Sequence, residues 1–170
     1  MNLTMVSVIA DNREEISCLH VAAGQESYIE TVPQCLREAE EEARWRPFGI
    51  FDGKQAVGFA MLGFFEKEYP VAFQPKAGSM PVTFQPQPGC LWLDRFLIDS
   101  AAQGQGYGKA ALSLIAKTLS LEFPDREIYL SVYPENCAAI HLYRSFGFQF
   151  TGEKDIHGED IMVCYPPFLG

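Results

Sequence analysis

Hydrophobic and polar positions repeat along the chain with two periods, and together they predict a succession of strands and helices. Alternation of period two is typical of half-buried strands, whereas an apolar residue at every third or fourth position is typical of an amphipathic helix. In the clearest helical case, four apolar residues share one face: Ala111, Leu114, Ile115 and Leu119. The predicted elements are strands at 3–9, 48–51, 56–65, 90–99, 127–133, 148–152 and 161–165, and helices at 11–21, 33–44, 107–122 and 137–146.

Local cap and turn signals support the ends of several of these elements. Asp11 suits the N-cap of the first helix, Pro33 the first turn of the second, and Asn136 the N-cap of the fourth. The residues Asp52-Gly53-Lys54 predict a hairpin between two strands, because Asp-Gly favours a tight turn. Gly147 is expected to end the fourth helix, where a left-handed conformation is commonly required. The predicted order is β-α-α-β-β-loop-β-α-β-α-β-β.

The segment 66–89 differs from the rest of the chain in composition. It contains five of the eleven prolines, so neither a regular helix nor a strand is expected there. We interpret it as a long proline-rich loop inserted within a single domain that spans residues 1–170. The predicted fold class is α/β (α+β), with a mixed and mostly antiparallel sheet flanked by about four helices.

Composition and charge exclude several classes of partner. The chain carries a net charge of −9 and has no Lys/Arg cluster, so neither nucleic acid nor an anionic membrane surface is an expected partner. The N-terminus has no legible secretory signal, and a cytoplasmic location is therefore expected. The acidic residues of the second helix are interpreted as a solvated face: Glu38, Glu40, Glu41 and Glu42.

Cysteine and histidine positions do not indicate a metal centre. The five cysteines form no Cys-x-x-Cys pair, and the three histidines form no metal-spaced group. An odd number of cysteines also argues against a disulfide framework. We therefore expect reduced cysteines that fill the core, and no bound metal.

A glycine-rich turn between a predicted strand and a predicted helix carries the main chemical signal. The turn Gln103-Gly104-Gln105-Gly106-Tyr107-Gly108 follows the strand at 90–99 and opens the helix at 107–122. Backbone N–H groups at a helix N-terminus lack partners, and the helix dipole adds to their attraction for an anion. Glycines also let the backbone come close to phosphate oxygens. The pattern predicts a site for a phosphate-bearing ligand.

Two common nucleotide-binding motifs fit this turn poorly. A P-loop needs a hydroxyl residue after Gly-Lys, but Gly108-Lys109 is followed by Ala110. A dinucleotide fingerprint can be written as Gly106-x-Gly108-x-x-Ala111, but that fold needs repeated βαβ units, and only 62 residues follow Gly108. The acidic residue that the dinucleotide fold needs at the end of the next strand is also missing.

A third motif, Gln/Arg-x-x-Gly-x-Gly/Ala, fits the turn better, through Gln103, Gly106 and Gly108. Three further blocks accompany it: Leu93-Asp94-Arg95-Phe96-Leu97-Ile98, Asn136-x-x-Ala139-x-x-x-Tyr143 and Phe146-Gly147-Phe148. Together they resemble the GNAT superfamily of acyl-CoA-dependent N-acetyltransferases, and the predicted element order agrees with it over nearly the whole chain. The resemblance implies the GNAT fold, a twisted sheet that is splayed between the fourth and fifth strands.

The resemblance also implies acetyl-CoA as the donor of an acetyl group. The pyrophosphate is expected on backbone N–H groups of 103–109, and the pantetheine arm beside the strand, where an N–H near Leu97 would polarise the thioester. The same strand residues can also be ordinary core, because the expected contacts are made by the main chain. The expected acetyl-CoA-binding residues are Phe96, Leu97, Ile98, Gln103, Gly104, Gln105, Gly106, Tyr107, Gly108, Lys109, Asn136, Ala139 and Tyr143.

Two residues are expected to act in catalysis. The family has a tyrosine at the position of Tyr143 that protonates the departing thiolate; without the motif, Tyr143 would be a core tyrosine and Asn136 a simple helix cap. Asp94 interrupts an apolar strand, where an unpaired carboxylate is costly. Neighbouring strand residues point to opposite faces, so Arg95 is not expected to pair with Asp94. Asp94 is therefore predicted to hold the acceptor ammonium and to take its proton, directly or through a water.

The acceptor is predicted to be a small polycationic amine. Trp92-Leu93-Asp94-Arg95-Phe96 and Ser27-Tyr28-Ile29-Glu30 most resemble bacterial spermine/spermidine (diamine) N-acetyltransferases, which implies direct attack in a ternary complex and makes a homodimer an expectation. The expected acceptor-binding residues are Asp94, Glu30, Tyr28 and Trp92, although a solvated loop glutamate is an equally good interpretation of Glu30. Two alternatives stay open: the same chemistry on an aminoglycoside, an amino acid or a protein N-terminus, and a CoA-binding regulatory module without turnover.

Overall fold

The order of helices and strands is the one that the sequence predicts. We describe residues 1–65 and 89–168 of a computed structural model. The strands are β1 Leu3–Ser7, β2 Trp45–Asp52, β3 Gln55–Phe65, β4 Cys90–Ile98, β5 Ile128–Val132, β6 Gln149–Lys154 and β7 Asp160–Cys164. The helices are α1 Ala10–Ser17, α2 Val32–Glu41, α3 Tyr107–Glu122 and α4 Cys137–Phe146, and a short 3₁₀ helix, Ser100–Ala102, follows β4.

All seven strands belong to one sheet, in the order β1-β2-β3-β4-β5-β7-β6. Strands β4 and β5 are parallel, and the other neighbouring pairs are antiparallel. Within the described lengths of β4 and β5, ladder pairs join only Leu91 to Ile128 and Trp92 to Tyr129. The two strands therefore part after Trp92, which opens the sheet between the fourth and fifth strands as predicted.

The helices cover both faces of the sheet and divide the core in two. Alternate residues of β3 point to opposite faces, so Leu62 packs with α3 and α4 residues while Phe59 packs with α1 and α2 residues. Ile115 of α3 is buried in the first cluster and Leu36 of α2 in the second. The sheet thus separates the two clusters, and its opening between β4 and β5 is the feature that positions the functional site.

A β-bulge in β4 overturns one expectation about the strand. Leu93 pairs with Leu62 and Arg95 with Met61, so Asp94 is an extra residue without a partner on β3. A bulge interrupts the alternation of side chains between the two faces. Arg95 Nη1 consequently lies 2.5 Å from Asp94 Oδ2, and the two neighbours form the ion pair that strict alternation would have prevented.

The caps of the helices agree with the sequence in part. Asn136 Oδ1 accepts a hydrogen bond from Ala139 N at 3.2 Å, and Gly147 ends α4 with a φ of 115°, which confirms both predictions. The prediction for Asp11 is wrong, since the N-cap of α1 is Ile9. Asn12 Oδ1 accepts from Ile9 N at 2.8 Å, and this bond starts the helix earlier than Asp11 would. Helix α1 also ends at Ser17 instead of continuing to 21.

The remaining expectations concern the proline-rich loop, the cysteines and the possibility of a membrane-spanning helix. Residues 66–88 of the predicted proline-rich loop lie outside the described residues. Cys35, Cys90 and Cys164 are buried as expected, whereas Cys18 and Cys137 are exposed. Within 1–65 and 89–168, no helix has both the length and the apolar character that crossing a membrane requires.

Candidate active site

A cavity of about 720 Å³ lies where β4 and β5 part. Its wall is built from β4 from the bulge onward, the glycine-rich turn and the start of α3, the end of β5, one side of α4, the α1–α2 loop, one side of α2 and the β6–β7 turn, with Trp45 of β2. We call the part of the cavity beside the glycine-rich turn, residues 103–109, the donor half, because acetyl-CoA is expected there. The part around Asp94 is the acceptor half. The site is therefore assembled from segments that are far apart in the sequence.

The glycine-rich turn presents backbone to the donor half. Gly104 has a φ of +74° and Gly106 a φ of +87°, a left-handed conformation that residues with a side chain rarely adopt. A Cβ at Gly104 would meet nothing within 4 Å, so the backbone there is open. The first N–H groups of α3 have no helical partner, and Lys109 lines the same cavity. Unpaired N–H groups at the N-terminus of α3, together with the positive charge of the Lys109 ammonium, fit the negatively charged pyrophosphate of coenzyme A.

Three of the residues predicted to bind acetyl-CoA use their side chains to hold the glycine-rich turn in place. Gln103 lines the cavity, but its Nε2 donates to Ile98 O at 3.0 Å. Gln105 Nε2 donates to Ala101 O at 2.9 Å, and Tyr107 donates its hydroxyl to a carboxylate of the β2–β3 hairpin at 2.8 Å. Gln105 and Tyr107, unlike Gln103, are not among the described residues that line the cavity.

Gly108 has a packing role that the glycine-rich motif alone does not predict. Its Cβ would lie 3.0 Å from Leu142 Cδ2, which is tighter than ordinary contact. The absence of a side chain therefore lets α3 approach α4, and this approach brings Lys109 and Ala139 to one cavity. Phe96, Leu97 and Ile98 line the same cavity, and their contact with the pantetheine arm stays a prediction.

Tyr143 reaches the cavity from α4 and also belongs to the core. It is 8% exposed, and its ring centroid lies 5.7 Å from that of Phe148. Burial, together with the charge of Glu159, raises the pKa of the Tyr143 phenol above its usual range. The phenol is therefore neutral at physiological pH and can act as a proton donor. Asn136 caps the same helix and lines the cavity; the cap is confirmed, and its contact with pantetheine stays a prediction.

The acceptor half contains an acidic cluster organised around one guanidinium. Arg95 Nε lies 2.7 Å from Glu30 Oε2, and its Nη2 lies 3.3 Å from Glu38 Oε2, in addition to the contact with Asp94. Burial raises the pKa of the Asp94 carboxyl to about 6, although the neighbouring guanidinium opposes the rise. Glu38 was expected on a solvated face, and that expectation is wrong, because the β4 bulge directs Arg95 toward α2.

Two of the remaining predicted acceptor residues differ in their placement. Tyr28 lines the cavity, with its ring centroid 6.1 Å from that of Tyr133. Trp92 is 1% exposed, packs 5.8 Å from the ring of Tyr129, and is not among the described residues of the cavity wall. Trp92 precedes the bulge, where β4 and β5 are still paired, so it is a core residue. The expectation that it touches the acceptor is corrected accordingly.

The sequence does not predict several cavity residues that come from the β5–β7 side of the opening. Among them, Glu159 has the most strongly shifted pKa. Burial and the charge of Asp155 raise the pKa of Glu159 to about 7, although a hydrogen bond from Ser131 lowers it. Asp155 Oδ1 accepts from His157 N at 2.8 Å and from Glu159 N at 2.9 Å. In the sequence these residues read only as a polar hairpin turn, since nothing local indicates that the turn faces β4.

Comparison with known proteins decides the family. A model described as the acetyltransferase (GNAT) family matches residues 12–148. The chain belongs to the GNAT family of acetyltransferases. It is 40% identical over 163 residues to the spermine/spermidine N(1)-acetyltransferase of Bacillus subtilis (strain 168), covering 96% of this chain and 98% of that protein. The probable spermine N(1)-acetyltransferase of Bacillus subtilis subsp. natto (strain BEST195) matches with the same identity and coverage.

Solved structures of GNAT enzymes share the fold. The aminoglycoside acetyltransferase AAC(6')-Ib in complex with coenzyme A and kanamycin superposes with a TM-score of 0.69 at 18% identity, covering 97% of this chain and 95% of that chain. Mutant forms of the spermidine/spermine N-acetyltransferase SpeG from Vibrio cholerae give a TM-score of 0.60 at 19% identity, covering 96% and 93%. At these identities the likeness establishes the GNAT fold.

Membership of the GNAT family makes the protein an acetyltransferase that uses acetyl-CoA, which supplies an acetyl group bound as a thioester. The residues of the donor half fit this co-substrate, because an open glycine backbone, a helix N-terminus and Lys109 converge there. Across the described parts of the chain, no group of three or more His, Cys, Asp or Glu side chains is arranged to hold a metal ion.

Proposed function

We propose that this GNAT acetyltransferase transfers the acetyl group of acetyl-CoA to a primary amine of a polyamine, such as spermine or spermidine. The observation that carries the proposal is the charge of the cavity wall. Six carboxylate residues line it: Glu26, Glu30, Glu38, Asp94, Asp155 and Glu159. Among the described residues of the wall, Arg95 and Lys109 are the only lysine or arginine, and Lys109 belongs to the donor half. Such a surplus of negative charge favours an acceptor with several ammonium groups.

The relatives support the same acceptor. The chain aligns over nearly its whole length, at 40% identity, with a protein named for spermine and spermidine acetylation. The net charge of −9 would also attract a polycation and accelerate its encounter with the enzyme. A polyamine therefore agrees with the local charge, the global charge and the relatives.

The proposed reaction is direct attack of the amine on the thioester in a ternary complex. Backbone N–H groups of 103–109 hold the pyrophosphate, while Phe96, Leu97 and Ile98, with Asn136 and Ala139, border the pantetheine arm. An N–H near Leu97 polarises the thioester carbonyl, and Tyr143 donates its proton to the departing sulfur. Asp94, held by Arg95, faces an ammonium group of the acceptor together with Glu30, and Tyr28 borders the same space.

An acceptor panel tests the proposal. Thiol release is measured with spermine, spermidine, putrescine, an aminoglycoside, free amino acids and a peptide N-terminus. We expect kcat/KM to be highest for a polyamine; a higher value for another class would assign that acceptor instead. Binding of acetyl-CoA without turnover of any amine would favour a regulatory module.

A matched pair of variants tests the acidic wall. Glu38 lines the cavity, whereas Glu41, on the same helix, is exposed and outside the wall. Glu38→Gln is expected to raise the KM for spermidine several-fold, and Glu41→Gln, which changes the net charge equally, to leave it unchanged. Equal effects of the two variants would mean that only the overall charge matters.

The assembly and location of the enzyme are also proposals. We infer a cytoplasmic homodimer, in keeping with the sequence analysis. Sedimentation of the purified protein at micromolar concentration tests the dimer, and a monomer under these conditions would contradict it.

A further inference from the structure

The turn between β6 and β7 contributes a carboxylate to the cavity wall in addition to those of β4 and the α1–α2 loop. Glu159 lines the same cavity as Tyr143 and Asp94, but it comes from the β5–β7 side of the opening. Its N–H donates to Asp155 Oδ1 at 2.9 Å, and Asp155 N–H donates to Glu159 O at 3.0 Å. This pair of hydrogen bonds fixes the turn that presents the Glu159 carboxylate to the cavity.

Glu159 and Asp94 differ in their counter-ions. Asp94 Oδ2 lies 2.5 Å from Arg95 Nη1, so its charge is already matched by a guanidinium. In the described chain, no ion pair within 4 Å joins Glu159 to a lysine, arginine or histidine. Protonating Asp94 would remove one counter-ion from a half-buried guanidinium, which is costly. Protonating Glu159 removes no such partner, so it is the better proton acceptor of the two.

We propose that Glu159 is the residue that takes the proton of the acceptor amine, with Asp94 and Arg95 as its cation-orienting counterpart on the opposite wall. This inference rests on the proposed function. The ammonium of the acceptor gives one proton to the Glu159 carboxylate, and the freed lone pair forms the C–N bond as the C–S bond breaks. The departing sulfur takes the proton of Tyr143, and the phenolate so formed takes the second amine proton. Glu159 then returns its proton to solvent.

The electrostatic surroundings of Glu159 suit this role. Burial and Asp155 raise the pKa of Glu159 to about 7, near the pH at which a general base works best. The ionised Glu159 in turn raises the pKa of Tyr143, so the acid and the base face one space. The titratable and charged groups of the wall around Glu159 are Asp155 and His157 from its own turn, Glu30 from the α1–α2 loop, Asp94 and Arg95 from β4, Tyr133 after β5, and Tyr143 from α4.

Kinetics of Glu159→Gln form the first test, with Glu135→Gln as the matched control. Glu135 is exposed and not part of the described cavity wall, and only its backbone carbonyl, which accepts from the Tyr28 hydroxyl, contacts a wall residue; its variant therefore carries the same charge change and keeps that contact. We expect Glu159→Gln to lower kcat for spermidine by roughly 10² to 10³-fold while acetyl-CoA affinity stays unchanged. Glu159→Asp is expected to keep part of the activity, because a carboxylate remains. A Glu159→Gln enzyme with the kcat of the wild type would overturn the proposal.

The pH profile distinguishes a base from a structural residue. Asp155→Asn keeps an oxygen that can accept the two turn hydrogen bonds but removes a negative charge beside Glu159. The acid limb of kcat/KM should therefore move to lower pH in Asp155→Asn. An unmoved limb in this variant, with a moved limb in Asp94→Asn, would assign the proton to Asp94.

A binding measurement without turnover provides an independent readout. At pH 6.5 Glu159 is largely protonated, so binding of a spermidine ammonium beside it should release a proton, measured by calorimetry in two buffers of different ionisation enthalpy. Glu159→Gln should reduce this release to the smaller part that comes from Asp94, whose pKa is also raised, and Glu135→Gln should retain all of it. Equal release by all three proteins would overturn the proposal. Failure of the proposed function appears differently, as a wild-type protein that neither binds nor acetylates polyamines.

Discussion

Replacing Glu159 with glutamine should stabilise the protein at neutral and alkaline pH and have no effect in acid. Burial in the cavity wall and the charge of Asp155 raise the pKa of the Glu159 carboxyl from 4.5 to about 7. The folded protein therefore holds this proton more tightly than the unfolded chain does. The resulting stability is fully present below pH 4.5 and is lost as the pH rises through 7.

The size of the effect follows from the two pKa values. A pKa raised from 4.5 to about 7 lowers the free energy of unfolding by about 3 kcal/mol once both states are ionised, at about 1.4 kcal/mol per pH unit. Glutamine cannot ionise, so Glu159→Gln should retain this 3 kcal/mol above pH 7. Below pH 4.5 both proteins carry a neutral side chain here and should be equally stable. The raised pKa of Asp94 acts in both proteins alike, so their difference isolates Glu159.

Urea unfolding between pH 4.5 and 8.5, extrapolated to water, measures this difference. The two stability curves should coincide at the acid end and separate progressively toward pH 7. Glu135→Gln, an exposed substitution, should follow the wild type throughout. A difference between Glu159→Gln and the wild type that does not change with pH would refute the reasoning. If the prediction holds, the enzyme keeps a destabilising carboxylate at the position where the reaction needs a base.

Three further substitutions separate chemistry from packing. Tyr143→Phe should lower kcat at least 10²-fold in the thiol-release assay but change the free energy of unfolding by less than about 1 kcal/mol, since the ring still packs on Phe148; an unchanged kcat would remove Tyr143 as the acid. Trp92→Phe should lower the free energy of unfolding by roughly 1 to 3 kcal/mol and leave the KM for spermidine unchanged, whereas a raised KM with full stability would return Trp92 to the acceptor site. Asn136→Ala should cost about 1 kcal/mol in urea unfolding through loss of the bond from Ala139, and no loss would mean that the cap contributes nothing.

The sequence by itself determined the order of the elements and the glycine-rich turn between β4 and α3 that borders the donor half of the site. These features depend on short-range signals: the periodicity of apolar residues, the Asn136 cap, the Gly147 stop and the glycine-rich turn. Each signal acts within a few residues, and the local conformation it favours survives in the folded protein. Asp11 is the exception, because Asn12 competes for the same helix end with a better-placed hydrogen bond.

Only the tertiary structure decided how the acceptor half is arranged and which further residues join Asp94, Glu30 and Tyr28 in it. At the bulge, the three residues from Leu93 to Arg95 lie opposite only two residues of β3, so Asp94 has no partner. The sequence of β4 alone does not predict where this extra residue falls. The bulge turns Arg95 toward Glu30 and Glu38, which come from other elements. Glu159 faces the same cavity because β7 pairs with β5 and β5 parts from β4. Contacts between residues so distant in sequence depend on strand pairing, so they appear only when the sheet is complete.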